Sequence, residues 1–565
     1  MDRPVHVERD VLVTMRDGVR LATDVFRPAG SGPFPALLKR TPYGKKQSEL
    51  ISAESIASRV DHGYAVVIQD VRGRFNSEGD WTPFVHEMAD GVDTIGWLTA
   101  QGWASSRIGM FGGSYLGLAQ LLAAAGQPRG LAAMVTALSP SDLHRNWVFN
   151  GAGGVLDLLL SVGWAASGAS DTARRTGLDD PTVGSIEKAF GRFVQSLASG
   201  GDGARRGSAE LLGAMQPLFW AATRGDVSAF SGVLGYVRDW LQHPRADAYW
   251  RAISPAAHYA RISTPALHVA GWYDVFLNGT LANFTGLRAH AATMQARAGQ
   301  QLIVGPWLHA AFEPCPPHVI GEVDFGPQAD LDYAGVQLRW FDHWLKGPTN
   351  ETPAQPPVRL FIMGENRWRD EHEWPLARAR RRRLYLHSSG RLTFDAPGGE
   401  ASSDRYHHRP RNPVPTVGGA LLPGAALAGP FDQRAIEMRP DVVVFTSEVL
   451  ETNLEVTGPV HVELWVSSSG PIADFIARLV DVQPDGRALN LCEGVIRTSD
   501  SPGPIRRVSI DLGATSNLFR AGHRVRLDIC SSSYPHYAPI TESAEHTIFH
   551  DAARPSHLVL PTIWR

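Results

Sequence analysis

The sequence predicts an α/β domain built on a largely parallel sheet, interrupted by a helical insertion and followed by an all-β domain. Three observations carry this expectation. Between residues 34 and 137, short continuous apolar runs (Ala36-Leu37-Leu38, Tyr64-Ala65-Val66-Val67-Ile68, Met134-Val135-Thr136-Ala137) alternate with helical segments such as 89–98, the pattern of strands covered on both faces. That texture stops near Pro140 and resumes at Pro265. Beyond Pro356, short β-rich runs are separated by Pro and Gly turns with no helices between them, as in a sandwich or jelly roll.

Taken in order, the first element is a hairpin: two β-rich runs, 11–15 and 19–26, flank Asp17-Gly18. After the alternating segment comes a stretch rich in Ala, Leu, Trp and Gly, including the loop-like 199–203. It reads as helices lying over the sheet. The sheet pattern returns at Ala266-Leu267-His268-Val269-Ala270 and Gln301-Leu302-Ile303-Val304, and a helix over 333–346 is stopped by Gly347-Pro348-Thr349-Asn350. Strands at 358–363, 383–387, 442–445, 460–466, 475–482 and 525–530 complete the chain. The expected domains are therefore 1–144 with 246–350, a helical cap at 145–245, and a jelly roll at 351–565.

With 565 residues, 43% apolar and 20% charged, the chain is a soluble globular type of several domains. Its net charge of −3 provides no overall field for phosphate backbones or anionic lipid. The basic cluster 378–383 lacks interleaved aromatics and reads as a strand start, so no nucleic-acid partner is expected. Cys315, Cys492 and Cys530 are too scattered for a disulfide framework or a zinc site, and His407-His408 lacks ligand spacing, so no metal is expected. Nor does any phosphate-cradling glycine loop suggest a cofactor. Without an apolar leader or membrane-length run, the expectation is a cytoplasmic protein with no membrane partner; a homo-oligomer is compatible with the sequence.

The sharpest chemical signal is Gly112-Gly113-Ser114-Tyr115-Leu116-Gly117, after an apolar strand and before the helical 118–125. A serine after two glycines at a strand-to-helix turn is the context of a nucleophile elbow, here with the second glycine one position late, at Gly117; the alternative is an ordinary glycine-rich turn with an incidental serine. A serine nucleophile needs a base and an orienting carboxylate. Asp274 follows one strand of the resumed sheet and His309 the next, and the order Ser114, Asp274, His309 is that of the α/β-hydrolase fold. For the oxyanion, Tyr115 offers its backbone N–H, and Tyr43, in the loop Arg40-Thr41-Pro42-Tyr43-Gly44, offers its phenol or backbone.

These motifs, with Gln69-Asp70-Val71-Arg72-Gly73-Arg74-Phe75-Asn76-Ser77-Glu78-Gly79, Gly271-Trp272-Tyr273-Asp274 and Gly305-Pro306-Trp307-Leu308-His309, resemble the cocaine esterase and X-Pro dipeptidyl-peptidase family of serine hydrolases over nearly the whole chain. The resemblance implies a hydrolase domain with an inserted helical cap and a C-terminal jelly roll. It also implies Ser114 as nucleophile, His309 as base, Asp274 as its acid, the Tyr43 hydroxyl and Tyr115 N–H as oxyanion donors, and a loop-shaping role for Asp70, Arg72 and Ser77.

Relatives acting on α-amino acid esters hold the substrate ammonium with clustered carboxylates, but here Asp274 is followed by Val275-Phe276-Leu277-Asn278. Phe276 suggests an apolar wall, and Trp147, Phe149, Trp164, Trp272 and Trp307 lie in segments expected to border the site. The reading is a serine hydrolase of small-molecule acyl esters or amides, with Trp147, Trp164 and Phe276 as the substrate pocket. An X-Pro dipeptidyl-peptidase or α-amino acid ester hydrolase is the alternative, with Asp157, Asp171, Asp179, Asp180 and Glu187 as carboxylates available in the cap. A catalytically dead binding protein is the rival outside enzymes.

Overall fold

The computed structural model describes residues 5–177, 181–197, 201–230, 232–309, 317–347, 356–399, 401–422, 427–499 and 503–564. Asp179, Asp180, Ser199, Gly200, Cys315 and residues 348–350 lie outside the described residues.

The N-terminal domain is organised by one sheet of ten strands: β1 (Val5–Thr14), β2 (Arg20–Pro28), β3 (Phe34–Thr41), β4 (Ala65–Asp70), β5 (Ala104–Gly113), β6 (Leu131–Ala137), β7 (Ala266–Tyr273), β8 (Gln301–Leu308), β9 (Val358–Ile362) and β10 (Arg367–Glu371). Their spatial order is β1-β2-β4-β3-β5-β6-β7-β8-β9-β10. The hairpin β1/β2 pairs antiparallel around the Asp17-Gly18 turn, and β2 meets β4 antiparallel. From β4 across to β9 every pairing is parallel. β4 and β7 are buried along their whole length, which explains their largely apolar texture: helices cover both faces, and the few polar residues, such as His268 and Gln69, are hydrogen-bonded inside. Helices α1 (Lys45–Asp61), α2 (Glu87–Thr99) and α3 (Tyr115–Ala125) follow β3, β4 and β5, and every residue of α3 is buried.

The strand over 358–363, expected among the strands of the jelly roll, extends the first sheet instead: β9 pairs parallel with β8 (Leu302 with Val358, Val304 with Leu360) and β10 folds back on it as the sheet edge. A short β-rich run such as Val358-Arg359-Leu360-Phe361-Ile362 reads alike in either sheet, and only its hydrogen-bonding neighbour decides.

Between β6 and β7 the chain is mainly helical. After a small hairpin, Phe149–Asn150 with Val155–Leu156, come helices Ala169–Thr176, Pro181–Leu197, Gly201–Thr223 and Gly235–Gln242. Gly201-Asp202-Gly203, expected in a loop, forms the first turn of a helix instead. Its downstream apolar positions Leu211, Met215, Leu218 and Phe219 recur at helical spacing and are buried, which outweighs the low helix propensity of two glycines.

The C-terminal domain is all β, with long strands Leu454–Ser468, Ala473–Val482 and Arg506–Phe519. The basic segment opens the strand Arg380–His387, paired antiparallel with His557–Ile563. Its core is continuous with that under β7 and β9: Leu302, Leu360, Val456 and Phe475 belong to one buried cluster. Among the described residues no helix is long and apolar enough to cross a membrane.

Candidate active site

β5 delivers its last residues, Gly112 and Gly113, into a turn where Ser114 adopts φ 62° and ψ −128° before α3 begins. The Ser114 N–H donates to Ala137 O (2.9 Å) and Leu138 O (3.1 Å), which pins the strained residue to the end of β6. A Cβ on Gly117 would lie 2.9 Å from the Ser139 Cβ and 3.2 Å from Ala137 O, so the room needed on the helix side is indeed at this late position. Tyr115 is the first residue of α3, so its N–H has no acceptor within the helix.

Asp274 and His309 leave the sheet at the ends of β7 and β8, on the same edge as Ser114. Asp274 does not cap the following helix, Leu277–His290, whose N-terminal neighbour is Phe276. Its buried carboxylate lies instead with Oδ1 2.7 Å from His309 Nδ1, and His309 Nε2 is 3.0 Å from Ser114 Oγ. A carboxylate can only accept, so Nδ1 carries the imidazole proton. With the proton on Nδ1, Nε2 is the ring nitrogen that faces the serine hydroxyl as acceptor.

Tyr43 follows β3 and is 40% exposed as a whole residue, yet burial around its hydroxyl raises the phenol pKa, opposed by interactions with Trp164 and Ser114. Trp164 Nε1 donates to the Tyr43 hydroxyl at 3.0 Å. Because an indole nitrogen is a donor only, Tyr43 accepts there and keeps its own proton for another partner. The Tyr115 phenol is committed elsewhere: it donates to Glu87 Oε1 (2.7 Å) and accepts from the Phe84 N–H (3.1 Å), and burial together with Glu87 raises its pKa strongly.

Behind Tyr43 the loop after β4 is braced by charge. Asp70 Oδ1 accepts from the Lys45 N–H (2.7 Å), and burial lifts its carboxyl to about 6. Ser77 Oγ donates to Asp70 O (2.6 Å), and Arg72 binds Asp90 (2.6 Å) and Asp17 (2.7 Å).

Trp147, Trp164 and Phe276 form a buried aromatic cluster: Trp147 lies 4.9 Å from Trp164 and 5.1 Å from Phe276 between ring centres, and Phe276 stands edge-on to His309 at 5.1 Å. Phe84 and Trp240 join them, with Phe84 4.9 Å from Trp147 and Trp240 6.3 Å from Trp164. Sequence reasoning missed both, although Trp81 and Phe84 beside the Arg72–Gly79 motif were a usable signal. Leu421, from the C-terminal domain, packs in the same cluster, and nothing local announced it. Trp272 and Trp307 must be removed from the bordering aromatics. Trp272 donates to Phe361 O and faces Trp374, and Trp307 donates to Ala329 O and faces Trp368. Both tryptophans lie within their strands and are buried in clusters other than the one at the site, whereas Asp274 and His309 lie just past the strand ends, where the chain turns away from the sheet. Phe149 has His144 and Trp250 as ring partners.

An elbow that lifts a hydroxyl off a parallel sheet toward an imidazole, itself held by a carboxylate, is the geometry of acyl transfer through serine and places the protein among serine hydrolases of the α/β-hydrolase fold. Residues 17–311 match the X-Pro dipeptidyl-peptidase (S15 family) model, and residues 350–559 match that of the X-Pro dipeptidyl-peptidase C-terminal non-catalytic domain. The chain belongs to this family. It is 37% identical to a cocaine esterase from Rhodococcus sp. (strain MB1 Bresler), with 100% of both chains covered. Its fold is similar to that of an aminopeptidase from a marine-sediment Thaumarchaeota archaeon (TM-score 0.80, 24% identity, 100% of this chain and 97% of the other). It is also similar to that of an α-amino acid ester hydrolase (TM-score 0.74, 23% identity, 99% and 97%). The protein is an enzyme that hydrolyses ester or amide bonds.

Proposed function

We propose that Ser114, His309 and Asp274 are the catalytic triad, that the Tyr43 hydroxyl and Tyr115 N–H form the oxyanion hole, and that the substrate is an uncharged ester with a bulky, apolar acyl group. Ser114 Oγ attacks the ester carbonyl carbon while His309 Nε2 takes its proton. The carbonyl oxygen becomes an oxyanion that accepts from Tyr43 and Tyr115. Collapse expels the alcohol, which takes the proton from His309, and leaves the acyl group on Ser114. Water, deprotonated by the same imidazole, then releases the acid.

The observation that carries the substrate reading is the wall beside His309: Phe276, backed by Trp147 and Trp164, with no carboxylate in the segment 275–278. Three cap carboxylates named as candidates, Asp157, Asp171 and Glu187, are engaged elsewhere. Asp157 accepts from Asn150 and the Leu160 N–H and faces His536, Asp171 accepts from the Phe75 N–H beside Arg74, and Glu187 pairs with Arg174 on the surface. Burying an unpaired ammonium against aromatic rings alone would cost roughly several kcal/mol. The relative named a cocaine esterase supports an ester over a dipeptide.

The test compares p-nitrophenyl esters of short-chain and aromatic acids, an aryl amide and a Gly-Pro chromogenic dipeptide at equal concentration. Aromatic or long-chain acyl esters are expected to give the highest kcat/KM. A dipeptide preference abolished by substituting a cap Asp or Glu would overturn this reading in favour of the X-Pro dipeptidyl-peptidase activity.

A further inference from the structure

We infer that Arg74 is a positioning residue for the oxyanion hole: a buried cation that ties the Tyr43 loop to the helical segment above it and thereby sets where the Tyr43 phenol sits. The inference rests on Tyr43 being an oxyanion donor, as proposed above.

Arg74 is almost wholly buried, and its guanidinium joins its own loop to two other chain segments. Nε donates to Pro42 O at 2.9 Å, the carbonyl immediately preceding Tyr43. Nη1 donates to Gly168 O (3.1 Å) and Thr172 Oγ1 (3.0 Å), on the helical segment. Asp171 Oδ2 lies 3.6 Å from Nε and accepts from the Phe75 N–H at 3.1 Å. The guanidinium also lies 5.0 Å from the Trp81 ring centre and 5.3 Å from that of Phe75.

That arrangement is costly if docking is its sole purpose. Burial lowers the Arg74 pKa, and the pull of Asp171, Tyr236, Tyr115 and Tyr43 offsets this only in part. An apolar side chain of similar volume would fill the space without desolvating a charge. What it would lack is direction: the planar fork fixes Pro42 O relative to Gly168 and Thr172. Meanwhile Trp164, four residues before Gly168, holds the phenol from the same segment. Tyr43 is thus clamped at its preceding carbonyl by Arg74 and at its hydroxyl by Trp164, and the Arg74 charge acts on the phenol in the sense that favours hydrogen-bond donation. A displacement that a neutral substrate would tolerate in binding would still misplace the donor when the oxyanion forms.

The test is a double-mutant cycle with a p-nitrophenyl ester, using Arg74→Leu and Arg74→Lys in wild-type and Tyr43→Phe backgrounds. Arg74→Leu is expected to lower kcat on the order of 10-fold with KM nearly unchanged, a coupling within the range for residues of one network. In Tyr43→Phe the further loss should be under about twofold, since the donor it positions is already gone. Arg74→Lys should recover part of kcat, keeping the charge but not the fork. Equal fold-losses in both backgrounds, or an effect confined to KM, would overturn the positioning role while leaving Tyr43 as donor. No effect of Tyr43→Phe alone would overturn both. Should Arg74→Leu not fold, Thr172→Val removes one cap-side bond and is read by the same cycle, with the same non-additivity expected and additivity again overturning the role.

Discussion

On the Tyr43 side of Ser114 the surroundings are held by buried charges and directed hydrogen bonds: Arg74 on Pro42 O, Lys45 N–H on Asp70, Arg72 on Asp90. On the Phe276 side, Trp147, Trp164, Phe84 and Trp240 meet ring to ring, and in this set of contacts only the Trp164 indole reaches across to the polar side. Hydrogen bonds fix atoms to within tenths of an ångström, whereas aromatic packing fixes volume and leaves orientation softer. Oxyanion stabilisation needs the first kind of control and acyl selection the second. Damage on the polar side should therefore appear in kcat, and damage on the aromatic side in the choice among substrates.

The largest effect belongs to the residue between the two sides. Ser114→Ala should abolish labelling by a fluorophosphonate probe and lower kcat on the order of 10⁶-fold; a variant that still labels would remove this serine from the mechanism. Next, Tyr43→Phe should lower kcat on the order of 10²-fold or more, with KM changed far less and a cooperative melting transition kept, its midpoint lowered slightly by the lost Trp164 bond. An intact rate would mean that backbone donors suffice and would erase the contrast from the polar side. On the aromatic side, Phe276→Ala should leave kcat on a short acetyl ester within a few-fold, yet cut the preference for aromatic over acetyl esters about 10-fold or more. A uniform loss across acyl groups would show that the ring positions His309 rather than sorting substrates.

The smallest effect on catalysis is expected away from both sides. His268, between Thr136 and Gln300 in the sheet, and His546, in the C-terminal domain, are both held neutral by burial, with pKa values lowered to about 4. For a histidine whose folded pKa lies below its unfolded value of about 6.5, the stability contribution is complete above that value and is lost as the pH falls through the folded one. Each loss amounts to roughly 3 kcal/mol by pH 4. Melting temperature should therefore fall between pH 6.5 and pH 4, and His268→Gln should flatten part of that slope without changing kcat at pH 7.5. An unchanged slope would mean that other groups carry the acid sensitivity.

What the sequence determined alone was whatever depends on short spans of chain. The alternation of apolar runs and helices specified the parallel sheet, because strands buried on both faces are apolar over most of their length. Ser114, Asp274 and His309 were legible because each follows a strand directly, and parallel strands bring such positions to one edge. Only the tertiary structure decided which side chains share a pocket. Trp272 and Trp307 sit within two residues of Asp274 and His309 yet pack elsewhere, while Phe84, Trp240 and Leu421 arrive from distant segments. β9 joined the first sheet rather than the second for a related reason: an apolar strand specifies that it will be buried, but its neighbour is chosen by the packing of the whole chain.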